Sequence, residues 1–226
     1  MKHLTFLAIV FTIMIHSGIA QESPAKKDSS AKTLHELGIN ATFFVSNFLT
    51  FSGNVPVSVD PYAFQYKALA NGKDGFRLGF GANYRSFDQS EDGDVNKSWN
   101  SQINARLGYE HRTDVAKKWK VFFGADIVWA YQNATSEVNN GFQDVKIKDT
   151  NRTLGTGLVF GIQFFASKRV SMGTETSAQF LFTEFEEVTA ISGNLPETES
   201  TKSELATFNF VLPTSIYINV ALGKKK

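Results

Sequence analysis

The chain of 226 residues contains no cysteine. That excludes a disulfide framework, a thiolate metal site, a cysteine nucleophile and lipid attachment through an N-terminal cysteine. Neither sign of charge is in excess, since 23 Lys and Arg stand against 22 Asp and Glu. Recognition of nucleic acid through a basic surface would raise the pI well above the 7.9 of this chain, so no nucleic-acid partner is expected. Proline is scarce at 5 residues and methionine at 3, whereas phenylalanine reaches 21 and glycine 17. Abundant Phe and Gly suit a β-structure with aromatic surface on one face and small residues on the other. Beyond residue 20 no apolar run approaches the roughly 18–20 residues of a membrane-spanning helix. A helical membrane protein is excluded.

The first residues read as an address. Met1-Lys2-His3 is a short basic start, and Leu4 to Ile15 are apolar apart from Thr5 and Thr12. Gly18 and Ala20 then fit the small-residue positions of a secretory cleavage site before Gln21. Residues 1–20 are expected to form a signal peptide. Residues 21–33 are polar and unpatterned, as a flexible leader would be.

From Leu37 onward the hydrophobic pattern has period two. In residues 76–87, Phe76, Leu78, Phe80, Ala82 and Tyr84 alternate with Arg77, Gly79, Gly81, Asn83 and Arg85. Alternate side chains of a strand point to opposite faces, so this is a strand with one apolar and one polar face. The pattern recurs at 99–110, from 119, from 154 and at 208–222, and more weakly at 36–45, 62–69 and 170–182. About eight strands result. The connections at 71–74, 113–118 and 167–169 are short; those at 47–60, 88–97, 133–151 and 187–204 are long and polar. Short and long alternate strictly, as in an up-and-down barrel with tight turns at one end.

Three features favour an apolar face turned to lipid. Tyr62, Trp99, Tyr109, Trp119, Trp129 and Tyr131 lie near strand ends on that face, where an interfacial aromatic girdle would sit. Gly, Ser, Asn, Gln and Thr dominate the polar face, which suits a narrow interior. On that face Lys67, Arg77, Arg85, Arg106 and Lys120 meet Glu36, Glu110, Asp126 and Glu175, near enough to balance for a paired lumen network. The fold expected is all-β, an eight-stranded antiparallel up-and-down transmembrane β-barrel over residues 34–223, with a basic tail at 224–226.

With the signal peptide, the leader, eight amphipathic strands and units such as Phe76-Arg-Leu-Gly-Phe-Gly-Ala-Asn-Tyr84, the chain resembles small outer-membrane β-barrel proteins of Gram-negative bacteria. The type is the porin-like or opacity-like outer membrane protein β-barrel family common in Bacteroidota. The resemblance implies location in the cell outer membrane, a periplasmic leader, outer-membrane lipid as solvent and the barrel-insertion machinery as partner. Members of that family usually end in an aromatic residue read by that machinery. This chain ends its last strand at Leu222-Gly223 and adds Lys224-Lys225-Lys226, so recognition has to tolerate an apolar Leu222 and a basic tail.

No chemical motif points to an enzyme, a cofactor or a metal. His35 and His111 fall at the short-turn end, whereas barrel enzymes place their catalytic residues at the outer rim. Asp92-Gly93-Asp94-Val95-Asn96 resembles a calcium loop, but Lys97 and Ile103 stand where Gly and Glu are required, and a solvated acidic loop is expected. Pro213 lies mid-strand on the polar face and calls for a bulge or a break, because proline removes a ladder donor. The functional expectation is a non-enzymatic barrel with a structural or surface-interaction role and a plugged lumen. The alternatives are a narrow pore for small solutes and a secreted soluble binding barrel. A protein partner at the cell surface or in the periplasm is left unspecified.

Overall fold

A computed structural model describes residues 33–49, 61–91, 94–139, 143–192 and 197–222. The signal peptide, the leader up to residue 32, the tail 224–226 and the Asp92-Gly93 part of the acidic loop lie outside the described residues. The elements are β1 (Thr33–Asn40), α1 (Ala41–Leu49), β2 (Phe64–Ala70), β3 (Asp74–Glu91), β4 (Asp94–Ala116), β5 (Trp119–Asn139), β6 (Asp144–Phe165), β7 (Val170–Ser192), β8 (Glu197–Val211) and β9 (Tyr217–Leu222). Strands β1 to β7 pair antiparallel in chain order. Strand β9 pairs with both β7 and β1 and closes an eight-membered ring.

The eighth wall position is shared by two strands. Strand β8 follows β7 from Ile191 to Ser177, and β9 takes over at Gly173. Between them Leu212 to Ile216 leave the ladder, and Thr214 N–H turns back to the Leu212 carbonyl at 2.8 Å. The missing N–H of Pro213 is the reason: the expected irregularity is a full break in the strand.

Two expectations about element boundaries need correction. The alternation at 36–45 suggests one strand, yet the chain leaves the sheet at Asn40 and coils into α1. Asn40 caps that helix, its Oδ1 accepting the Phe43 N–H at 3.0 Å, and Phe44 packs edge-on against Phe64 at 5.6 Å. Likewise, much of the long polar stretches at 88–97, 133–151 and 187–204 is strand rather than loop, so β4 and β7 each reach 23 residues. Their two polar faces hide the period, but cross-strand pairs persist. Val138 faces Val145, and Lys146 bonds Glu137 at 2.6 Å. A membrane crossing takes about 9–11 residues of strand. About half of each long strand therefore projects beyond the ring as a sheet with two wet faces. Lys202 donates to Glu186 there at 3.0 Å, and this bond holds the Glu186 carboxyl below the usual carboxylate range.

The opposite, lower end is tight. Asn71 and Gly72 adopt positive φ of 52° and 69°, and Lys73 N–H meets the Ala70 carbonyl at 3.0 Å. That is the primed turn whose twist matches two paired strands.

The distribution of polarity is inverted relative to a water-soluble domain. Leu158 is 60% exposed, Phe123 54% and Leu107 50%, all on the outer face. Inside, Arg77, Glu110 and Arg112 are buried. So broad an exposed apolar girth marks contact with lipid rather than water. Phe123→Arg should therefore cost roughly 2–4 kcal/mol of barrel stability, as a cation at mid-bilayer depth does. Ala130→Ser, on the inner face of the same strand, should stay within about 0.5 kcal/mol. Denaturant titration of both variants refolded into liposomes reads the difference; equal losses would indicate a soluble core.

Candidate functional site

The pleat sends alternate residues of every wall strand into the lumen, and the register decides what meets there. Several of the large inward side chains lie across from a glycine. Gly79 faces Arg106, Gly108 faces both Arg77 and Asp126, and Gly161 faces both Phe122 and Glu175. A β-carbon at Gly79 would fall against the Arg106 side chain, and one at Gly161 against the Phe122 ring. The glycines make the room in which long side chains lie flat. An eight-stranded interior has no other space for them.

Into that room the fold brings four cations and four anions, all buried: Lys67, Arg77, Arg106 and Arg112 with Glu36, Glu110, Asp126 and Glu175. Arg77 is the hub. It reaches Glu175 at 2.8 and 2.9 Å, Asp126 at 3.2 Å and Glu110 at 3.4 Å. Glu110 also accepts from Lys67 Nζ at 2.7 Å and Arg112 Nε at 2.5 Å. Arg112 closes the lower side with a fork onto Glu36, at 3.0 and 2.7 Å. Arg106 closes the upper side on Glu175, with Asp126 at 3.8 Å. Two rings complete the packing, Phe122 under Lys67 at 4.4 Å and Tyr62 under Arg106 at 4.3 Å. Equal numbers of opposite charges, each beside an opposite charge, are the condition on which a buried ionic group is tolerable. Among the described residues, though, Asp126 Oδ1 accepts no hydrogen bond and Arg106 Nε donates none.

Above the cluster the chain folds inward as a cap. Asn40 N–H donates to the Ala63 carbonyl at 2.8 Å, while Asn40 Nδ2 and the Tyr217 hydroxyl donate to the Tyr62 carbonyl at 3.2 and 3.4 Å. The Pro61 carbonyl sits where a β-carbon of residue 81 would be, so Gly81 is required for the cap to dock. A cavity of about 240 Å³ lies above, lined by Arg106, Tyr62, Gln102 and Gln179 among others. A mouth of about 890 Å³ opens at the lower end. Between them a void of about 10 Å³ beside Lys67 and Glu175 has room for roughly one water molecule.

Of the residues proposed for the lumen network, Glu36, Lys67, Arg77, Arg106, Glu110, Asp126 and Glu175 stand together. Two do not. Arg85 is exposed on the projecting part of β3, and Lys120 lies at the lower rim, 3.2 Å from Asp114. Arg112 is the member that strand-by-strand reading missed, because the amphipathic stretch was ended at Glu110; it keeps the parity of Asn104, Arg106 and Glu110. Phe122 and Val128 also belong to the lumen, although apolar.

Of the girdle residues, Tyr109, Trp119 and Trp129 are exposed on the outer face. Tyr109 donates to Asp74 at 2.8 Å, and Trp119 packs on Phe164 at 4.9 Å. Tyr131 and Trp99 are half-buried, with Lys146 5.6 Å from the Trp99 ring. Tyr62 is a correction. It precedes β2, so strand parity does not govern it, and it turns inward under Arg106. His35 bonds the Tyr66 hydroxyl at 2.7 Å, and His111 bonds Asp74 at 2.5 Å. Among the described residues no group of three His, Asp or Glu is placed to hold a metal ion.

No protein-family model and no curated protein matches the chain. Among solved structures, CarO of Acinetobacter baumannii is similar at 14% identity, over 87% of this chain and 98% of that one, with a TM-score of 0.30.

Removing the hub tests the cluster. Arg77→Ala leaves Glu175, Asp126 and Glu110 short of a cation, and breaking a buried pair costs roughly 3–5 kcal/mol. Arg85→Ala, outside the cluster, should stay within about 0.5 kcal/mol. The unfolding midpoint in urea reads both, and similar losses would show that Arg77 contributes no more than a surface charge.

Proposed function

We propose that the protein is a closed, non-enzymatic barrel of the Gram-negative outer membrane, with a structural or surface-interaction role exercised by its projecting hairpins. One observation carries this reading: balanced, mutually bonded charges occupy the lumen where a solute would have to pass. Supporting it, the outer face is apolar at mid-height and aromatic towards its margins, as lipid contact requires. Short turns at one end and tall strands at the other are the asymmetry of barrels whose turns face the periplasm. Tall polar strands offer a partner outside the cell far more surface than the rim alone.

The reading is tested in planar bilayers. The wild-type barrel should pass no steady current. Arg106 lines the upper cavity and Glu175 the small void below it, so removing both joins the two spaces and strands no net charge. Arg106→Ser with Glu175→Ser should therefore produce measurable openings. A wild-type protein with steady conductance, unchanged in the double variant, would favour a narrow pore for small solutes.

A further inference from the structure

The overall charge of +1 conceals a separation along the barrel axis. Across the described residues of 85–97, 137–152 and 184–204, which form the projecting half, carboxylates outnumber cations by about two to one. The cluster in the middle is neutral. The lower end is basic: Lys117 and Lys118 lie between β4 and β5, and Lys168 and Arg169 between β6 and β7. Its acidic residues are already engaged, Asp114 with Lys120, Asp74 with His111 and Glu36 with Arg112. Among the described residues none of Lys117, Lys118, Lys168 and Arg169 forms an ion pair.

These four cations line one concave space, the lower mouth of about 890 Å³. That volume lies within the range of about 300–1,000 Å³ usual for ligand sites. The turns that carry them are held by the backbone. The Lys118 carbonyl accepts the Phe165 N–H at 2.8 Å, and the Arg169 carbonyl accepts the Ala221 N–H at 2.7 Å. Ser167 Oγ accepts the N–H groups of Arg169 and Val170 at 3.2 and 3.0 Å. Turns fixed in this way present their cations to a ligand without a backbone ordering cost.

We infer that this mouth is a docking vestibule for an acidic peptide segment of a periplasmic protein. Charge complementarity selects the occupant. The sequences flanking the barrel, residues 21–32 and 224–226, are themselves net basic and so carry the wrong sign to complement the mouth. Glu36 and Ser171, which point into the ring, form part of the lining, as a site on the lumen axis requires. The assignment to a periplasmic source rests on the orientation proposed above; the chemistry of the vestibule does not.

The test uses the full barrel in non-ionic detergent micelles and fluorescence anisotropy of labelled octaglutamate and octaglutamine. Octaglutamate should bind at least about tenfold more tightly than octaglutamine, and about half-molar salt should abolish the difference. The variant K117E/K118E/K168E/R169E should lose that preference while keeping heat-modifiable migration, since none of the four touches the lumen cluster. K117Q/K118Q/K168Q/R169Q provides the milder version, should the reversal fail to fold. Equal binding of the two peptides, or a preference that survives both variants, would overturn the inference. So would wild-type binding to phosphatidylglycerol vesicles with no peptide binding, which would assign the mouth to lipid. Orientation is read separately by a membrane-impermeant maleimide on Ser167→Cys. Labelling only after permeabilisation supports the periplasmic source, and labelling in intact cells overturns it.

Discussion

A charge inside an eight-stranded barrel has nowhere to go. The wall is a closed ladder, lipid lies beyond it, and the interior is too narrow for a water column to solvate a guanidinium. Every inward charge must therefore be met by another, and the arrangement around Arg77 follows from this requirement. Four strands supply the cations or anions it needs, with β3 carrying Arg77 itself, β4 Glu110, β5 Asp126 and β7 Glu175. The glycines at 79, 108 and 161 leave space for long side chains, and the break at Pro213 and the cap at Tyr62 close the top of the same compartment. Stability alone does not require the network, since buried ion pairs are often no better than well-packed hydrophobic isosteres. The charges instead specify which strands face which, because a one-residue slip would place them in lipid.

This constraint is also why much of the architecture could be read from the order of residues. Period-two alternation follows from the pleat, and it located the wall strands and seven of the eight cluster members. It failed where the pleat does not govern. Tyr62 precedes its strand and turns inward through Asn40 and Tyr217, contacts that are more than 20 and 150 residues away in sequence. Helix α1 is invisible to a test of alternation because Thr42, Phe44 and Ser46 still alternate with Phe43 and Val45; the cap supplied by Asn40 is the local signal for it. The hairpin extensions escape that test, because strands wet on both faces lose the contrast on which it depends. Arg112, by contrast, was legible, two residues beyond Glu110 on the same face.

The proposed closure of the lumen moves function to the two ends, and the ends differ. The upper half is a tall, acidic, double-wet sheet; the lower mouth carries basic residues on two turns whose backbone is held by hydrogen bonds. The neutral cluster lies between the two. On this view the small net charge of the sequence reports a cancellation between compartments, not an absence of electrostatic purpose.

The central claim, a mutually paired cluster shut off from bulk water, is tested most directly by hydrogen exchange at the arginine side chains. In bilayers, with 15N-labelled arginine, the Nε–H protons of Arg77, Arg106 and Arg112 should exchange with water far more slowly than those of Arg85 and Arg169. Exchange of the three lumen arginines at the rate of the exposed ones would show a water-filled interior and contradict the account.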